Sequence, residues 1–228
     1  QQVKVPTEIA VVQVSNSRLA LAVLAATFYG QPARSLNLIG ITGTNGKTSV
    51  AFMLRHLLQI ANRRCGLIGT VEYDLGDRII PAARTTPESL ELHQYLTSMV
   101  QSGCEFCVME VSSHALKQHR VAGLKFSATA FTNLTRDHLD YHGNMENYFA
   151  MKRRLFEMKT EQADQIVNVD DPFGKRLVRE FDARTFGEAK KATFRITNVS
   201  LGQRTTCFQI AGNDYSMPLF GRHNVANA

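Results

Sequence analysis

Leu36-Asn-Leu-Ile-Gly-Ile-Thr-Gly-Thr-Asn-Gly-Lys-Thr-Ser49 is the segment from which the architecture of the chain follows. Its apolar first half, residues 36–42, predicts a buried strand that enters a glycine-rich turn, and a helix then begins at Lys47 or Thr48. Apolar residues three and four apart predict the buried face of this helix: Val50, Met53, Leu54, Leu57 and Leu58. Backbone N–H groups converge at the start of such a helix, where the helix dipole also favours negative charge. The segment therefore predicts a phosphate-binding turn.

The residue types within the turn support this interpretation. Gly43 and Gly46 would let the backbone approach an anion closely. Lys47 would reach the outer phosphates, and the Thr48 hydroxyl would be a ligand for Mg²⁺. Ile41 stands where the common pattern G-x-x-x-x-G-K-[ST] has its first glycine, so this turn is a shorter variant. The alternative, a glycine turn followed by an unrelated lysine, is disfavoured by the flanking strand and helix patterns.

The composition is that of a globular protein, because 44% of the 228 residues are hydrophobic and 20% are charged. The net charge of +6 is dispersed in short clusters without interleaved aromatic residues, so nucleic acid is not an expected partner. The apolar run 19–28 is too short to span a bilayer, so no membrane association is expected.

Four cysteines offer no disulfide framework and favour a reducing, cytoplasmic location. Cys104 and Cys107 have the C-x-x-C spacing of a metal or redox site. The apolar run 104–111 predicts a strand, however, in which residues three apart point to opposite faces. A buried, reduced pair is therefore favoured over half of a zinc site.

The same predicted strand carries one acid, Glu110, at its carboxyl-terminal end. A buried carboxylate requires a partner, and the carboxyl ends of parallel strands are where ligands bind in α/β sheets. Glu110 is therefore expected to complete a Mg²⁺ site opposite Thr48. The alternative is a structural pair with a neighbouring arginine.

Strand and helix patterns alternate along the chain and predict an α/β fold, a P-loop-type, mostly parallel sheet flanked by helices. Short alternating runs between Ala192 and Leu219 predict a small antiparallel β flap near the C-terminus. Residues 1–14 are expected to be an extended tail with a possible strand at 11–14, and residues 73–83 a loop. A helix is predicted to begin at Thr85-Thr86-Pro87-Glu88, whereas residues 220–228 are expected to lead toward a helix that does not form.

His138 and His142 are four residues apart, as zinc-binding histidines on a helix can be. Leu139 stands where a zinc hydrolase would have its general-base glutamate. A zinc hydrolase is therefore disfavoured.

Several further motifs occur in one order along the chain: Gly43-Thr-Asn-Gly-Lys-Thr-Ser49, Thr85-Thr86-Pro87, Met109-Glu-Val-Ser-Ser-His114, Gln118-His-Arg120, Thr132–Gly143 and Gly221-Arg-His-Asn224. In these motifs the chain resembles the Mur ligases of peptidoglycan synthesis. It is most similar to the branch that adds meso-diaminopimelate or L-lysine to UDP-N-acetylmuramoyl-L-alanyl-D-glutamate. The resemblance begins near residue 15 and covers nearly all of the remaining chain.

The resemblance implies a domain organisation. Mur ligases have an N-terminal domain for the uridine nucleotide, a central ATPase domain and a C-terminal domain that helps to bind the incoming amino acid. Residues 1–35 are then expected to be the tail of the first domain and a linker. Residues 36–228 are expected to be the central domain, truncated at its end, with the third domain absent.

The resemblance also implies roles for particular residues. The ATP phosphates would be held by the turn residues Gly43, Thr44, Asn45, Gly46, Lys47, Thr48 and Ser49. Thr48 and Glu110 would serve one Mg²⁺ and His138 a second. Lys152 matches the lysine that is carbamylated in the family, a change that turns a cation into a carboxylate-like metal ligand. Without the resemblance, Lys152 would be interpreted as a solvated lysine.

The muramoyl-peptide contacts implied by the resemblance are Thr85, Thr86, Ser112, Gln118 and Arg120. Asn224 matches an adenine contact, and Asn227 a less certain one. Arg84 stands where diaminopimelate-adding enzymes often have Asn, so that contact is expected to differ.

The expected chemistry is ADP-forming amide synthesis. A carboxylate is a poor electrophile, so the D-Glu side-chain carboxylate is first phosphorylated by ATP, with the cations and Lys47 neutralising the transferred group. The amine of the amino acid then attacks the acyl phosphate and expels phosphate. The alternatives are another Mur ligase, a folylpolyglutamate synthase-like ligase, or a non-catalytic Mg·ATP-binding fragment. A monomer is expected.

Overall fold

The computed structural model describes residues 10–228. The strands are β1 (Asn37–Thr42), β2 (Cys65–Ile68), β3 (Glu72–Asp74), β4 (Ile79–Pro81), β5 (Phe106–Glu110), β6 (Phe126–Phe131), β7 (Lys159–Asn168), β8 (Arg184–Gly187), β9 (Phe194–Leu201), β10 (Thr206–Ile210) and β11 (Asn213–Met217). The helices are α1 (Ser17–Phe28), α2 (Lys47–Ile60), α3 (Ser89–Gln101), α4 (Ser113–Lys117), α5 (Leu139–His142), α6 (Met145–Glu157), α7 (Pro172–Glu180) and α8 (Arg222–Asn227), with a 3₁₀ turn at Pro32–Ser35. No helix in this part of the chain is long and apolar enough to cross a membrane.

The strands form one sheet in the order β11-β10-β9-β8-β7-β6-β1-β5-β2-β3-β4. The pairs from β2 through β5, β1, β6, β7 and β8 to β9 are parallel. The pairs β9-β10-β11 and β2-β3-β4 at the two edges are antiparallel. The predicted fold class, a mostly parallel sheet with an antiparallel flap near the C-terminus, is confirmed.

The strand β1 lies at the point where the order of the sheet reverses. The chain leaves β1 through α2 to reach β2 on one side, returns to β5 beside β1, and then continues to β6 on the other side. Ligand sites in open α/β sheets form outside the carboxyl ends of strands at such a reversal. The glycine turn after β1 and the acid at the end of β5 both lie there.

Helix α2 packs on the sheet through a face centred on Ala51, which is fully buried. The apolar neighbours Val50, Leu54 and Leu58 pack against the same cluster, as predicted. The prediction was wrong at Leu57, whose surface is 58% exposed. The buried face of α2 is therefore centred on Ala51, and Leu57 lies outside it.

Two predictions upstream of β5 were wrong. Residues 73–83 include two paired strands, β3 and β4, joined by a turn in which Leu75 N–H donates to Arg78 C=O over 2.9 Å. Helix α3 begins at Ser89 because Glu88 is its N-cap, in a capping box with Glu91. Residues 85–87 precede the helix and contribute to the site described below.

Further differences lie at the ends of strand β5 and at the two ends of the chain. Cys104 precedes β5, so the predicted strand at 104–111 is shorter than expected, although Cys104 and Cys107 are both buried and free. Residues 222–227 form the helix α8, against expectation. The predicted tail lies partly outside the described residues, at 1–9, and its remaining residues 11–14 form no strand.

Candidate functional site

Two glycines shape the turn between β1 and α2. Gly43 and Gly46 have φ angles of +151° and +87°, in the region that disfavours side chains. A Cβ atom at Gly43 would lie 1.9 Å from Thr132 Oγ1, and one at Gly46 would lie 2.3 Å from Asn227 Oδ1. The backbone therefore requires glycine at both positions.

The turn presents a row of unpaired N–H groups. Thr44 N–H donates to Asn133 C=O over 2.8 Å, and Asn45 N–H donates to Asn133 Oδ1 over 3.0 Å. The next four amides, those of residues 46–49, have no acceptor within residues 10–228, and they open helix α2. Free amides at a helix N-terminus form an anion-binding site. Asn133 thus accepts from the first two amides of the turn, and the amides of residues 46–49 are free to bind an anion.

The side chain of Lys47 folds back over this turn. Its Nζ donates to Gly43 C=O over 3.0 Å and to Thr44 C=O over 2.8 Å. Burial lowers the pKa of Lys47, and the negative charge of Glu110 opposes that shift. The ammonium group therefore lies next to the free amides without a carboxylate bonded to it.

The buried Glu110 carboxylate faces the same helix start. Glu110 is fully buried, and its Oε2 accepts from Thr48 Oγ1 over 3.0 Å and from Thr70 Oγ1 over 3.1 Å. Its Oε1 accepts from Thr70 N–H over 2.9 Å. All three donors are neutral threonine groups. Within residues 10–228, Glu110 therefore does not form the structural pair with an arginine that was the alternative. Both carboxylate oxygens thus lie beside the start of α2 with only threonine donors bonded to them.

Thr70 is a contributor that the sequence patterns did not single out. It lies two residues after β2, at the same carboxyl edge of the sheet as Glu110. Gly69 makes room for this contact, because a Cβ there would lie 2.6 Å from Glu110 Oε1. The available signal was a Gly-Thr pair at the end of a parallel strand.

Lys152 reaches the turn from helix α6. It is 2% exposed, and its Nζ donates to Gly43 C=O over 2.7 Å, the same oxygen that Lys47 contacts. Its Nζ also lies 4.6 Å from the centre of the Tyr148 ring, and Tyr148 Oη is 3.3 Å from Thr44 Oγ1. Burial, followed by the charge of Lys47, holds the pKa of Lys152 well below its usual range. Lys152 is thus a buried residue of the site rather than a solvated lysine.

The histidines form an aromatic cluster beside Lys152. His138 lies edge-on to His114 at 4.9 Å between ring centres, and His142 stacks on Tyr148 at 4.9 Å. His142 Nε2 is 2.9 Å from Ser113 Oγ, and burial lowers the pKa of His142 to about 4. Within the described residues no three His, Cys, Asp or Glu side chains form a metal-holding group. Oxygen ligands for a cation at the turn are instead available from Thr48 and Glu110.

The five residues expected to contact the muramoyl peptide lie together on the other side of Glu110. Thr86 Oγ1 donates to the backbone C=O of Glu110 over 2.8 Å and accepts from Ser112 N–H over 3.1 Å. Arg120 Nη1 donates to Thr86 C=O over 2.9 Å, and Arg120 Nη2 donates to Gln118 Oε1 over 2.7 Å. The fifth residue is Thr85, whose hydroxyl oxygen lies 3.1 Å from Thr70 Oγ1.

The two asparagines of helix α8 differ in position. Asn224 Nδ2 donates to Phe220 C=O over 2.9 Å, a contact within its own segment. The side chain of Asn227 lies against Gly46, where the glycine's missing Cβ would be 2.3 Å from Asn227 Oδ1. Of the two, Asn227 therefore reaches the turn.

The fold and the turn define a P-loop-type α/β protein whose sheet reversal carries a phosphate-binding loop and a buried acid. The sequence profile described as "Mur ligase middle domain" matches residues 41–228. The chain belongs to the Mur ligase family.

Two relatives share the name of one enzyme within this family. The chain is 43% identical over 227 residues to UDP-N-acetylmuramoyl-L-alanyl-D-glutamate--2,6-diaminopimelate ligase of Clostridium tetani. The aligned region covers 97% of this chain and 46% of the relative. It is 41% identical over 213 residues to the enzyme of the same name from Aquifex aeolicus, covering 92% of this chain and 44% of the relative. The chain therefore spans about half the length of these relatives.

Two solved structures have the same fold as this chain. A structure of UDP-N-acetylmuramoyl-L-alanyl-D-glutamate--2,6-diaminopimelate ligase superimposes with a TM-score of 0.77 at 26% identity, covering 91% of this chain and 45% of the other. A Mycobacterium tuberculosis folylpolyglutamate synthase superimposes with a TM-score of 0.70 at 19% identity, covering 92% of this chain and 56% of the other. The second likeness concerns the fold alone.

Proposed function

We propose that this chain is the nucleotide-binding part of an ADP-forming amide ligase of peptidoglycan synthesis. The ligase adds meso-diaminopimelate, or in the alternative L-lysine, to UDP-N-acetylmuramoyl-L-alanyl-D-glutamate. The observation that carries the proposal is the Glu110 carboxylate bonded to Thr48, opposite four free amides at the start of α2. The names of two relatives that are 41% and 43% identical favour diaminopimelate over lysine and over a folate substrate.

The site fits ATP with Mg²⁺. The amides of residues 46–49 and the ammonium of Lys47 would hold the outer phosphates, because both present positive charge to the same space. Thr48 and Glu110 would hold the cation through oxygen atoms, the ligands that Mg²⁺ prefers. Bound there, Mg²⁺ supplies charge neutralisation for phosphoryl transfer.

The second substrate would lie on the side of Thr86 and Arg120. The Thr86 hydroxyl bonds the backbone of Glu110, so a carboxylate held there is adjacent to the phosphate site. ATP as co-substrate phosphorylates that carboxylate, and the incoming amine displaces phosphate to form the amide. The chain's residues position the two groups and exclude water, and no protein nucleophile is required.

Lys152 is proposed to carry a carbamate and to serve a second Mg²⁺ together with His138. Its burial and lowered pKa support this proposal, because only the uncharged amine reacts with CO₂. Intact-protein mass spectrometry after exposure to bicarbonate tests it. An added mass of one CO₂ that disappears in Lys152→Met is expected, and no added mass would contradict it.

Residues 1–35 are proposed to join an N-terminal domain to the central domain at 36–228, in a monomer that acts in the cytoplasm. The match of the family profile to residues 41–228 supports the boundary. Three buried thiols, Cys65, Cys104 and Cys107, support a reducing compartment. Sedimentation of the 228-residue chain tests the monomer.

The function is tested by ADP release from the protein that carries this chain. ADP is expected only when ATP, Mg²⁺, UDP-N-acetylmuramoyl-L-alanyl-D-glutamate and diaminopimelate are all present. Lys47→Ala is expected to abolish release, while the exposed control Lys190→Ala retains it. Turnover that persists in Lys47→Ala would refute the proposed role of the turn.

A further inference from the structure

One peptide group of the turn between β1 and α2 is oriented opposite to the two before it. The C=O groups of Gly43 and Thr44 accept from lysine ammonium groups on one side of the turn. The N–H groups of the same two peptides, those of Thr44 and Asn45, donate to Asn133 on the other side. The next C=O, that of Asn45, instead faces the Asn133 side. It accepts from Asn133 Nδ2 over 3.1 Å and from Thr132 Oγ1 over 2.6 Å.

This orientation sets the direction of the first free amide. No peptide bond within residues 10–228 is cis, and in a trans peptide the N–H and the C=O point in opposite directions. Because the C=O of Asn45 faces Asn133, the N–H of Gly46 faces away from Asn133. It therefore points to the side of the turn on which the ammonium of Lys47 lies.

Glycine by itself does not hold the peptide in this orientation. Without a Cβ, Gly46 lets the peptide before it take either of two opposite orientations. The planar carboxamide of Asn133 carries an acceptor and a donor side by side. Its Oδ1 accepts from Asn45 N–H over 3.0 Å, and its Nδ2 donates to Asn45 C=O over 3.1 Å. An inverted peptide would lose the bond to Nδ2 and direct the Gly46 N–H at that donor, so Asn133 selects one orientation.

The residues on both sides of Asn133 are tied to other parts of the fold. Thr132 N–H donates to the C=O of Thr42, the last residue of β1, over 3.1 Å. Leu134 N–H donates over 2.9 Å to Oδ2 of Asp171, the N-cap of α7. The carboxamide therefore extends from a fixed segment, as a group that orients a binding site requires.

We propose that Asn133 is a positioning residue of the phosphate site, which aims the Gly46 N–H at the outer phosphate of the nucleotide. The inference rests on the proposed function and adds to it a residue outside the expected ATP contacts. A hydrogen bond from an amide to a charged phosphate oxygen is stronger than one between neutral groups, so the direction of a single N–H affects affinity. The competing role is that Asn133 only stabilises the fold, and the experiment separates the two.

The sequence allows this one peptide to be observed alone. Asn45-Gly46 is the only Asn-Gly pair in the 228 residues. In a chain isotope-labelled at the asparagine carbonyl carbons and the glycine nitrogens, an NMR spectrum that correlates each amide with the preceding carbonyl shows a single peak, from this peptide. Calorimetric titration of the same chain with Mg·ATP measures its affinity.

The variant is Asn133→Leu, which keeps the branching of the side chain and its neutrality but has neither the acceptor nor the donor. It is expected to bind Mg·ATP about tenfold more weakly than the wild type. At saturating Mg·ATP, the Gly46 amide proton of the wild type is expected to move downfield, because it bonds a charged oxygen. In Asn133→Leu this shift is expected to be absent. The matched control is Asn213→Leu, at an exposed position of the edge strand β11, which should behave as the wild type in both measurements.

Each outcome has one meaning. An Asn133→Leu variant that binds Mg·ATP as tightly as the wild type overturns the positioning role alone. Weaker binding with the full downfield shift of the Gly46 amide also overturns it, because the amide would still reach the phosphate. A wild-type chain that neither binds Mg·ATP nor shifts this peak refutes the proposed nucleotide site, and the positioning role with it.

Folding is checked separately by thermal melting without ligand. If Asn133→Leu does not melt cooperatively, Asn133→Ala replaces it in the same two measurements with the same expected results. Failure of both variants to fold would assign Asn133 to the stability of the fold and overturn the positioning role.

Discussion

Replacing Glu110 by glutamine isolates the charge of the buried carboxylate from its shape. Glu110 is fully buried and accepts three hydrogen bonds from two threonines, and glutamine has nearly the same volume. No arginine or lysine within residues 10–228 is bonded to it, although its charge opposes the lowering of the Lys47 pKa. Removing the charge therefore relieves a desolvation cost and gives up only this unbonded attraction to Lys47. We therefore expect Glu110→Gln to unfold at a temperature equal to or above that of the wild type when no ligand is present.

Ligand binding is expected to change in the opposite direction. The loss of one anionic ligand to Mg²⁺ costs roughly 2.7 kcal/mol on the scale of a strong charged hydrogen bond, which is about a hundredfold in affinity for Mg·ATP. At a Mg·ATP concentration about 100 times the wild-type Kd, the wild type gains about 2.7 kcal/mol of stability and the variant about 0.4 kcal/mol. For a chain of this size these values correspond to shifts in Tm of roughly 5–11 °C and about 1–2 °C.

Differential scanning fluorimetry with and without Mg·ATP measures both quantities. Glu161→Gln, at an exposed position of strand β7, is the matched control and should shift as the wild type does. A Glu110→Gln variant that keeps the full wild-type shift would refute the assignment of this carboxylate to the cation. A large loss of stability without ligand would instead show that its charge is structural.

Three further predictions concern the surrounding residues. Gly43→Ala places a Cβ 1.9 Å from Thr132 Oγ1 at a φ of +151°, so the free energy of unfolding measured with urea should fall by about 3 kcal/mol; an unchanged midpoint would contradict this. Tyr148→Phe removes the hydroxyl that contacts Thr44, and calorimetry should find Mg·ATP binding a few-fold weaker, by about 1 kcal/mol, rather than unaltered. His142, with a pKa of about 4 in the fold and a higher pKa when unfolded, contributes stability above pH 6.5 that is lost as the pH falls toward 4. Stability should therefore fall by about 2 kcal/mol more over that range in the wild type than in His142→Gln, and parallel pH curves would count against it.

Local sequence patterns were sufficient for the centre of the fold. The apolar run before Gly43 and the helix after it are continuous in the chain, so their periodicity predicted β1, the turn and α2. The position of Glu110 at the end of an apolar strand was likewise visible, because a lone acid in such a run requires a polar partner.

Other features depend on contacts that no local pattern contains. Thr70 meets Glu110 across 40 residues of sequence, and Tyr148 meets Thr44 across 104. Strands β3 and β4 have three residues each, too few for an alternation to be recognised. The Thr86 hydroxyl bonds the backbone C=O of Glu110 across 24 residues of sequence, a tertiary contact, and the capping box of Glu88 and Glu91 begins α3 with an N-cap two residues after Thr86.

We propose that a magnesium nucleotide binds between the start of α2 and Glu110. A crystal structure of the chain with Mg²⁺ and a non-hydrolysable ATP analogue would test this placement. We expect the outer phosphate within hydrogen-bond distance of the amides of residues 46–49, and a cation bound by Thr48 and Glu110. A nucleotide bound elsewhere, or a cation that does not contact Glu110, would contradict it.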